Sequence, residues 1–191
     1  MPEKNGRPES DNNLDFGELV RTEHRALLRF SRQLPCSRHT VWEALTYPSD
    51  REAWFPARIE GTLVRDAEIR LRDREPGAHP RIGLVFRVAP REMLGLMWSR
   101  AVLVLELKAK GTRACKLELV WAPDNRHQAQ GVGAIWHASV DALTCLATNR
   151  TAYTPLTERF EQLRAPYTAR FGAQHSSIGR SLGIRGHRPD G

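Results

Sequence analysis

Long apolar runs are absent from this 191-residue sequence. No stretch of about 18 uncharged apolar residues occurs, so no transmembrane helix is expected, and the opening Met1–Ser10 is too polar to read as a signal peptide. Cysteine is scarce as well. Cys36, Cys115 and Cys145 are odd in number, far apart in sequence and without a C-x-x-C pair, which speaks against a disulfide framework or a zinc site and fits a reducing cytoplasm. No metal or cofactor is expected, and neither is needed for stability, because a chain of this size can bury an adequate apolar core unaided. Internal repeats are missing too, and no linker-like stretch divides the middle of the chain into two domains.

Charge is present but not concentrated. The formal net charge is +7 and the pI near 9.9, values compatible with an anionic partner. Yet arginines such as Arg70, Arg72, Arg74, Arg81 and Arg87 are scattered through alternating segments and read as the wet side of a sheet. No basic run interleaved with stacking aromatics is found, which argues against nucleic acid as the partner.

What remains is one domain between two polar ends. Residues 1–22 contain Pro2, Pro8, Asn12 and Asn13 with an acidic excess, and are expected to form a disordered arm. Residues 172–191, rich in Gly, Ser, Arg and His, are expected to form a disordered basic tail. The domain is sought in residues 23–171. It opens with a strand in which Ala26, Leu28, Phe30 and Leu34 alternate with Arg29, Ser31 and Gln33, stopped by Pro35. Ser37 can cap a short helix carrying Val41, Trp42 and Leu45, and Pro48 separates it from a second turn reaching Trp54.

Strands then dominate. Period-two patterns run through Ile59, Gly61 and Leu63; through Ala67, Ile69 and Leu71; and through Ile82, Leu84, Phe86 and Val88. Further strands are expected at Met93–Trp98, Val102–Lys108 and Thr112–Trp121, with Lys110-Gly111 as the turn between the last two. After Asp124 the period changes. Val132, Ile135, Trp136, Ser139, Val140, Leu143 and Ala147 fall at three- and four-residue steps, the stripe of a helix of four to five turns. A last helical segment from Pro155 carries Leu156, Phe160 and Leu163, with Pro166 expected to kink or restart it before Tyr167 and Phe171. The order is α+β, helices packing on one face of an antiparallel sheet; the βα alternation of a doubly wound fold is missing.

Several of these segments carry a resemblance. Val41-Trp42-Glu43-Ala44-Leu45-Thr46-Tyr47-Pro48 followed by Trp54-Phe55-Pro56, then Ala89-Pro90 before a strand ending in Trp98, the Gly111-Thr112 turn, Trp136-His137 with Asp141 and Leu143, and Tyr167 with Phe171-Gly172 resemble the START-like (SRPBCC) superfamily, in its heat-shock-protein ATPase-activator-like branch. It spans roughly Arg25 to Gly172 and is carried by the order of the pieces. One position departs from the pattern: the glycine that commonly precedes the Trp-His pair is Ile135 here, which narrows the space beside the helix.

The resemblance implies a helix-grip fold, a curved antiparallel sheet wrapped round a long C-terminal helix with an apolar cavity between them. On that reading Phe86, Trp98, Leu105, Leu119, Trp136 and Val140 line a cavity for a small hydrophobic molecule. The expected function is binding without a defined catalytic activity. Two rivals stand beside it. A cyclase- or hydratase-like enzyme would draw on His137 and Asp141, four apart on one helix face, or on Glu106, which interrupts an apolar strand. A co-chaperone-like protein would contact a heat-shock chaperone through the sheet's outer face and the charged ends. For all of these residues, core packing or a solvated face is the competing reading. Fold-level analogy alone does not decide among them.

Overall fold

A computed structural model describes residues 16–21, 26–74, 79–123, 132–149 and 154–171. Among them are eight strands and four helices in the order β1 (Glu18–Arg21), β2 (Ala26–Leu34), α1 (Arg38–Thr46), α2 (Pro48–Trp54), β3 (Arg58–Glu60), β4 (Glu68–Arg72), β5 (Arg81–Ala89), β6 (Met93–Trp98), β7 (Ala101–Ala109), β8 (Cys115–Ala122), α3 (Gly133–Ala147) and α4 (Leu156–Phe171). The strands form one sheet in the order β1-β2-β8-β7-β6-β5-β4-β3, antiparallel throughout. This is a curved antiparallel sheet with helices on its inner side, a helix-grip architecture.

Alternation decides which side of each strand is dry. Leu28, Phe30 and Leu34 of β2 and Cys115, Leu117, Leu119 and Trp121 of β8 are buried and face each other in register, Phe30 opposite Leu119. Each fully buried leucine or phenylalanine contributes about 1.5–3 kcal/mol, against about 0–1 kcal/mol for an exposed ion pair. The inner face therefore holds the fold. α1 starts where Ser37 accepts a hydrogen bond from the Thr40 amide at 3.2 Å, and Pro48 stands in the first turn of α2, where its missing N–H costs nothing. Gly111, at φ +89°, makes the β7–β8 turn.

Four sequence expectations change. The segment expected as part of a disordered arm contains β1, whose backbone pairs with β2 from Glu18↔Arg29 to Arg21↔Ala26; an edge strand held by main-chain bonds leaves little apolar signal. The face of β5 is reversed. Gly83 and Val85 point inward, while Ile82 and Leu84 are 53% and 37% exposed. Phe86 departs further, because a bulge between Val85 and Arg87 re-aims it and its ring lies over Gly95, where an added Cβ would meet it at 2.5 Å. The strand through Ile59 is only three residues long, ended by Gly61 at φ +111°. Finally, α4 runs unbroken through Pro166, so the helix does not restart there.

The outer face carries mixed charge. Glu106 and Glu118 stand directly opposite each other across β7 and β8, a like-charge pair that would destabilise the sheet if left alone. Lys108 bridges them, at 3.3 Å from Glu106 and 3.0 Å from Glu118, and Lys116 and Arg29 reach Glu118 at 2.6 and 3.1 Å. The hydrogen bonds from Lys116 and Lys108 hold the Glu118 carboxyl down to about 2. A depressed carboxylate stabilises the fold above its unfolded value, about 4.3, and that contribution is lost as the pH falls toward 2. Glu118→Gln should therefore show a smaller drop in urea midpoint between pH 6 and pH 2.5, on the order of the values just given, than the parent chain. Equal drops would show that the cluster does not couple to folding.

Candidate functional site

The inner side of α3 gathers two groups of residues, one polar and one aromatic. Nearly every side of α3 is buried, from Gly133 through Val140 and again at Ala142, Leu143 and Ala147, so its polar side chains must find partners inside the protein.

His137 is 1% exposed. Its Nδ1 lies 3.1 Å from the Tyr167 hydroxyl of α4, and its Nε2 lies 3.3 Å from Nη2 of Arg32 and 3.5 Å from Oδ1 of Asp141. Nε2 thus faces a donor in Arg32 and an acceptor in Asp141, while Nδ1 faces the Tyr167 hydroxyl, which can donate or accept. Tyr167 also accepts from the Gly17 amide at 2.8 Å, which ties the segment before β1 to α4. Burial raises the Tyr167 hydroxyl well above the ordinary tyrosine value, against the opposing pull of the Gly17 bond. Burial pushes Asp141 up, but its hydrogen bonds with His137 and Arg159 outweigh this and hold it below the usual aspartate range. Arg159 donates to Asp141 at 2.8 Å. Phe16 packs edge-on against both His137 and Tyr167, and Gly133 leaves room for Tyr167, whose ring an added Cβ would meet at 2.4 Å.

The aromatic group lies along the same helix. Trp136 packs against Phe55 and Trp121, with ring centroids 5.8 and 6.2 Å apart, and Phe55 touches Trp54 and Trp98 at 5.3 and 6.3 Å. Trp98, Leu105, Leu119, Trp136 and Val140 are all buried in this core. Two polar atoms in it, the indole Nε1 of Trp54 and of Trp121, find no hydrogen-bond partner among the described residues, and neither does the buried hydroxyl of Ser139, one turn beyond Trp136 on the helix.

Comparison with known proteins gives a likeness of fold. No family model and no curated protein matches the chain. Among solved structures it is similar to a conserved protein of unknown function from Enterococcus faecalis, with a TM-score of 0.65, 19% identity, and 81% of this chain and 89% of that one covered. It is also similar to CalU16 from Micromonospora echinospora, with a TM-score of 0.61, 21% identity, and 83% and 99% covered. A third is DynU16, a putative protein in the dynemicin biosynthetic locus, with a TM-score of 0.57, 21% identity, and 67% and 49% covered.

Five of the six expected cavity residues are thus buried in the core, and Phe86 lies on the opposite face. Two depressions lined by described residues also open on that outer face, one of about 240 Å³ between Val20, Leu27, Val104 and Val120 and one of about 260 Å³ beside Ile82, Leu84 and Met97. Glu106 sits on the outer face as well, which removes it as a polar anchor inside the core. His137 and Asp141 do meet, but the ring nitrogens of His137 face protein groups and the ring is shut from solvent. As placed, it joins α3, α4 and β2 and has no side open to a substrate. No group of three His, Cys, Asp or Glu side chains among the described residues could hold a metal ion, and none of the helices searched among them is long and apolar enough to cross a membrane.

Sequence reading passed over Arg32 and gave Tyr167 a place in the resemblance but no role in a site. Arg32 shares the parity of Ala26, Leu28, Phe30 and Leu34, so an arginine in an inward register was the available signal. Tyr167→Phe should strand the Gly17 amide and leave His137 Nδ1 without its partner, at a cost of about 1–3 kcal/mol in urea unfolding, with hydrogen exchange at the Gly17 amide accelerating more than that of β8. Gly133→Ala, which in an open helix would gain about 1 kcal/mol, should here lose stability by displacing Tyr167. Unchanged stability in both variants would show that this joint carries no load.

Proposed function

We propose that the chain is a START-like (SRPBCC) protein that takes up a small, largely apolar molecule bearing at least one oxygen acceptor, held between the sheet and α3. The observation that carries this reading is that three buried polar atoms, the indole Nε1 of Trp54 and of Trp121 and the Ser139 hydroxyl, find no partner among the described residues. An indole N–H or hydroxyl buried without an acceptor costs about 1–3 kcal/mol, and native interiors rarely keep several together. An aromatic wall with a few unpaired polar groups is the make-up of a ligand site. The helix-grip architecture supports the reading, as does the fold shared with DynU16, a putative protein in a biosynthetic locus.

The action proposed is binding. The core side chains contact one another closely, so uptake exchanges ring–ring contacts for ring–ligand contacts and must disturb the tryptophan cluster. The imidazole with the best catalytic credentials, His137, already contacts Tyr167, Arg32 and Asp141.

Titration with a planar aromatic ketone such as flavone should quench and shift tryptophan fluorescence saturably, and native mass spectrometry of the protein from its own host should show a bound small molecule. Trp121→Phe keeps a ring and removes the donor; it should weaken flavone binding by about 5–30-fold, the equivalent of 1–2 kcal/mol. No complex by either method would overturn the reading. Flavone binding unchanged by Trp121→Phe would remove the indole from it.

A further inference from the structure

Two of the three cysteines, 79 positions apart in the chain (115 minus 36), meet in the fold. Cys115 opens β8 and stands in register with Leu34, the last residue of β2. Pro35 follows, and Cys36 lies in the bend that leads to the Ser37 cap of α1. The register thus sets Cys36, two residues past Leu34, beside Cys115, near enough for each thiol to perturb the other. Cys115 is fully buried, whereas Cys36 is partly exposed. The pair therefore consists of a partly exposed residue and a buried neighbour.

We propose that Cys36 and Cys115 form an oxidative modification site, closing reversibly to a disulfide that fastens the start of α1 to β8 when the protein meets a peroxide. The Cys36 thiolate attacks one peroxide oxygen, the O–O bond breaks, and Cys36 becomes a sulfenic acid as hydroxide leaves and takes up a proton to become water. The Cys115 sulfur then attacks the sulfenic sulfur, the S–S bond forms, and the Cys115 proton leaves with the hydroxyl as a second water. Two thiols are oxidised and one peroxide is reduced to two waters. A thiol reverses the step by exchange through a mixed disulfide.

The environment makes the site slow and selective. Burial raises both thiols above the ordinary cysteine value, Cys115 to about 11, and the Cys115 thiol partly offsets the rise at Cys36. Cys36 is thus the sulfur that ionises first, and because the thiolate is the nucleophile, reaction should quicken as the pH is raised above neutrality. The proposal is independent of the ligand reading, since neither cysteine belongs to the Trp136 cluster.

The test uses the full reduced chain and hydrogen peroxide, followed by alkylation, digestion and mass spectrometry without reductant. Expected is a monomer lighter by two hydrogens, with the Cys36 and Cys115 peptides joined, a higher melting temperature, and full reversal by dithiothreitol. Cys145→Ser should behave identically. Cys115→Ser should leave Cys36 to proceed to sulfinic acid, and in urea the native pairing should give way to a mixture among all three cysteines. Recovery of Cys36 as sulfinic acid beside a reduced Cys115 in the folded parent chain would overturn the proposal. So would a disulfide formed chiefly to Cys145 or between two molecules.

Discussion

A helix buried on almost every side is the constraint from which the rest of this structure follows. α3 has no wet face along its first two turns, so its apolar side chains give it a large driving force into the core, and its few polar ones need partners brought by other elements. β2 supplies Arg32, α4 supplies Tyr167 and Arg159, and the segment before β1 supplies the Gly17 amide. These contacts explain why α4 and the strand-bearing N-terminal segment dock where they do. Neither has a broad apolar surface of its own: α4 buries four residues, and β1 is held by main-chain pairing to β2. The polar joint gives direction to elements that hydrophobic burial alone would leave free to slide.

How much of this could be read beforehand depended on whether one parity of each segment was clearly drier than the other. In β8 the contrast was sharp, because Leu117 and Leu119 alternate with Lys116 and Glu118, and the face was legible. In β5 both parities are apolar. Ile82, Leu84 and Phe86 outweigh Gly83 and Val85 by any hydropathy count, yet Gly83 is the inward residue because a side chain there would run into Leu71 and the Met97 carbonyl, both 2.8 Å from its Cβ position. A glycine chosen for close approach leaves no hydrophobic mark. The bulge at Phe86 then shifts the parity again, which period-two reading cannot detect.

Proline and charge misled for related reasons. Pro166 removes one hydrogen-bond donor and crowds the preceding turn, but in α4 the flanking Leu163 and Tyr167 are both buried, and their packing outweighs the loss. Glu106 broke an apolar strand and so looked like a group placed for chemistry. Its position opposite Glu118 shows a different logic: β7 and β8 carry two facing carboxylates because Lys108, Lys116 and Arg29 converge on them. Such a cluster is readable only once the register is known, since Arg29 lies 89 residues from Glu118.

The candidate site divides along the same line. Its apolar half was legible as core, since tryptophans at inward positions announce themselves by size, and five of the six residues expected to line a cavity are buried. Its polar half was not, because satisfaction is a property of pairs. His137 looked available for chemistry in the sequence and is occupied in the fold; Trp121 and Ser139 looked like packing and turn out to carry polar atoms without partners. The distinction matters for function. A histidine locked between Arg32 and Tyr167 would have to break two buried contacts before it could touch a substrate, whereas an unpaired indole N–H gains from any acceptor brought to it. The proposed binding reading therefore rests on the unpaired donors of the helix-grip core and not on acid–base chemistry at His137.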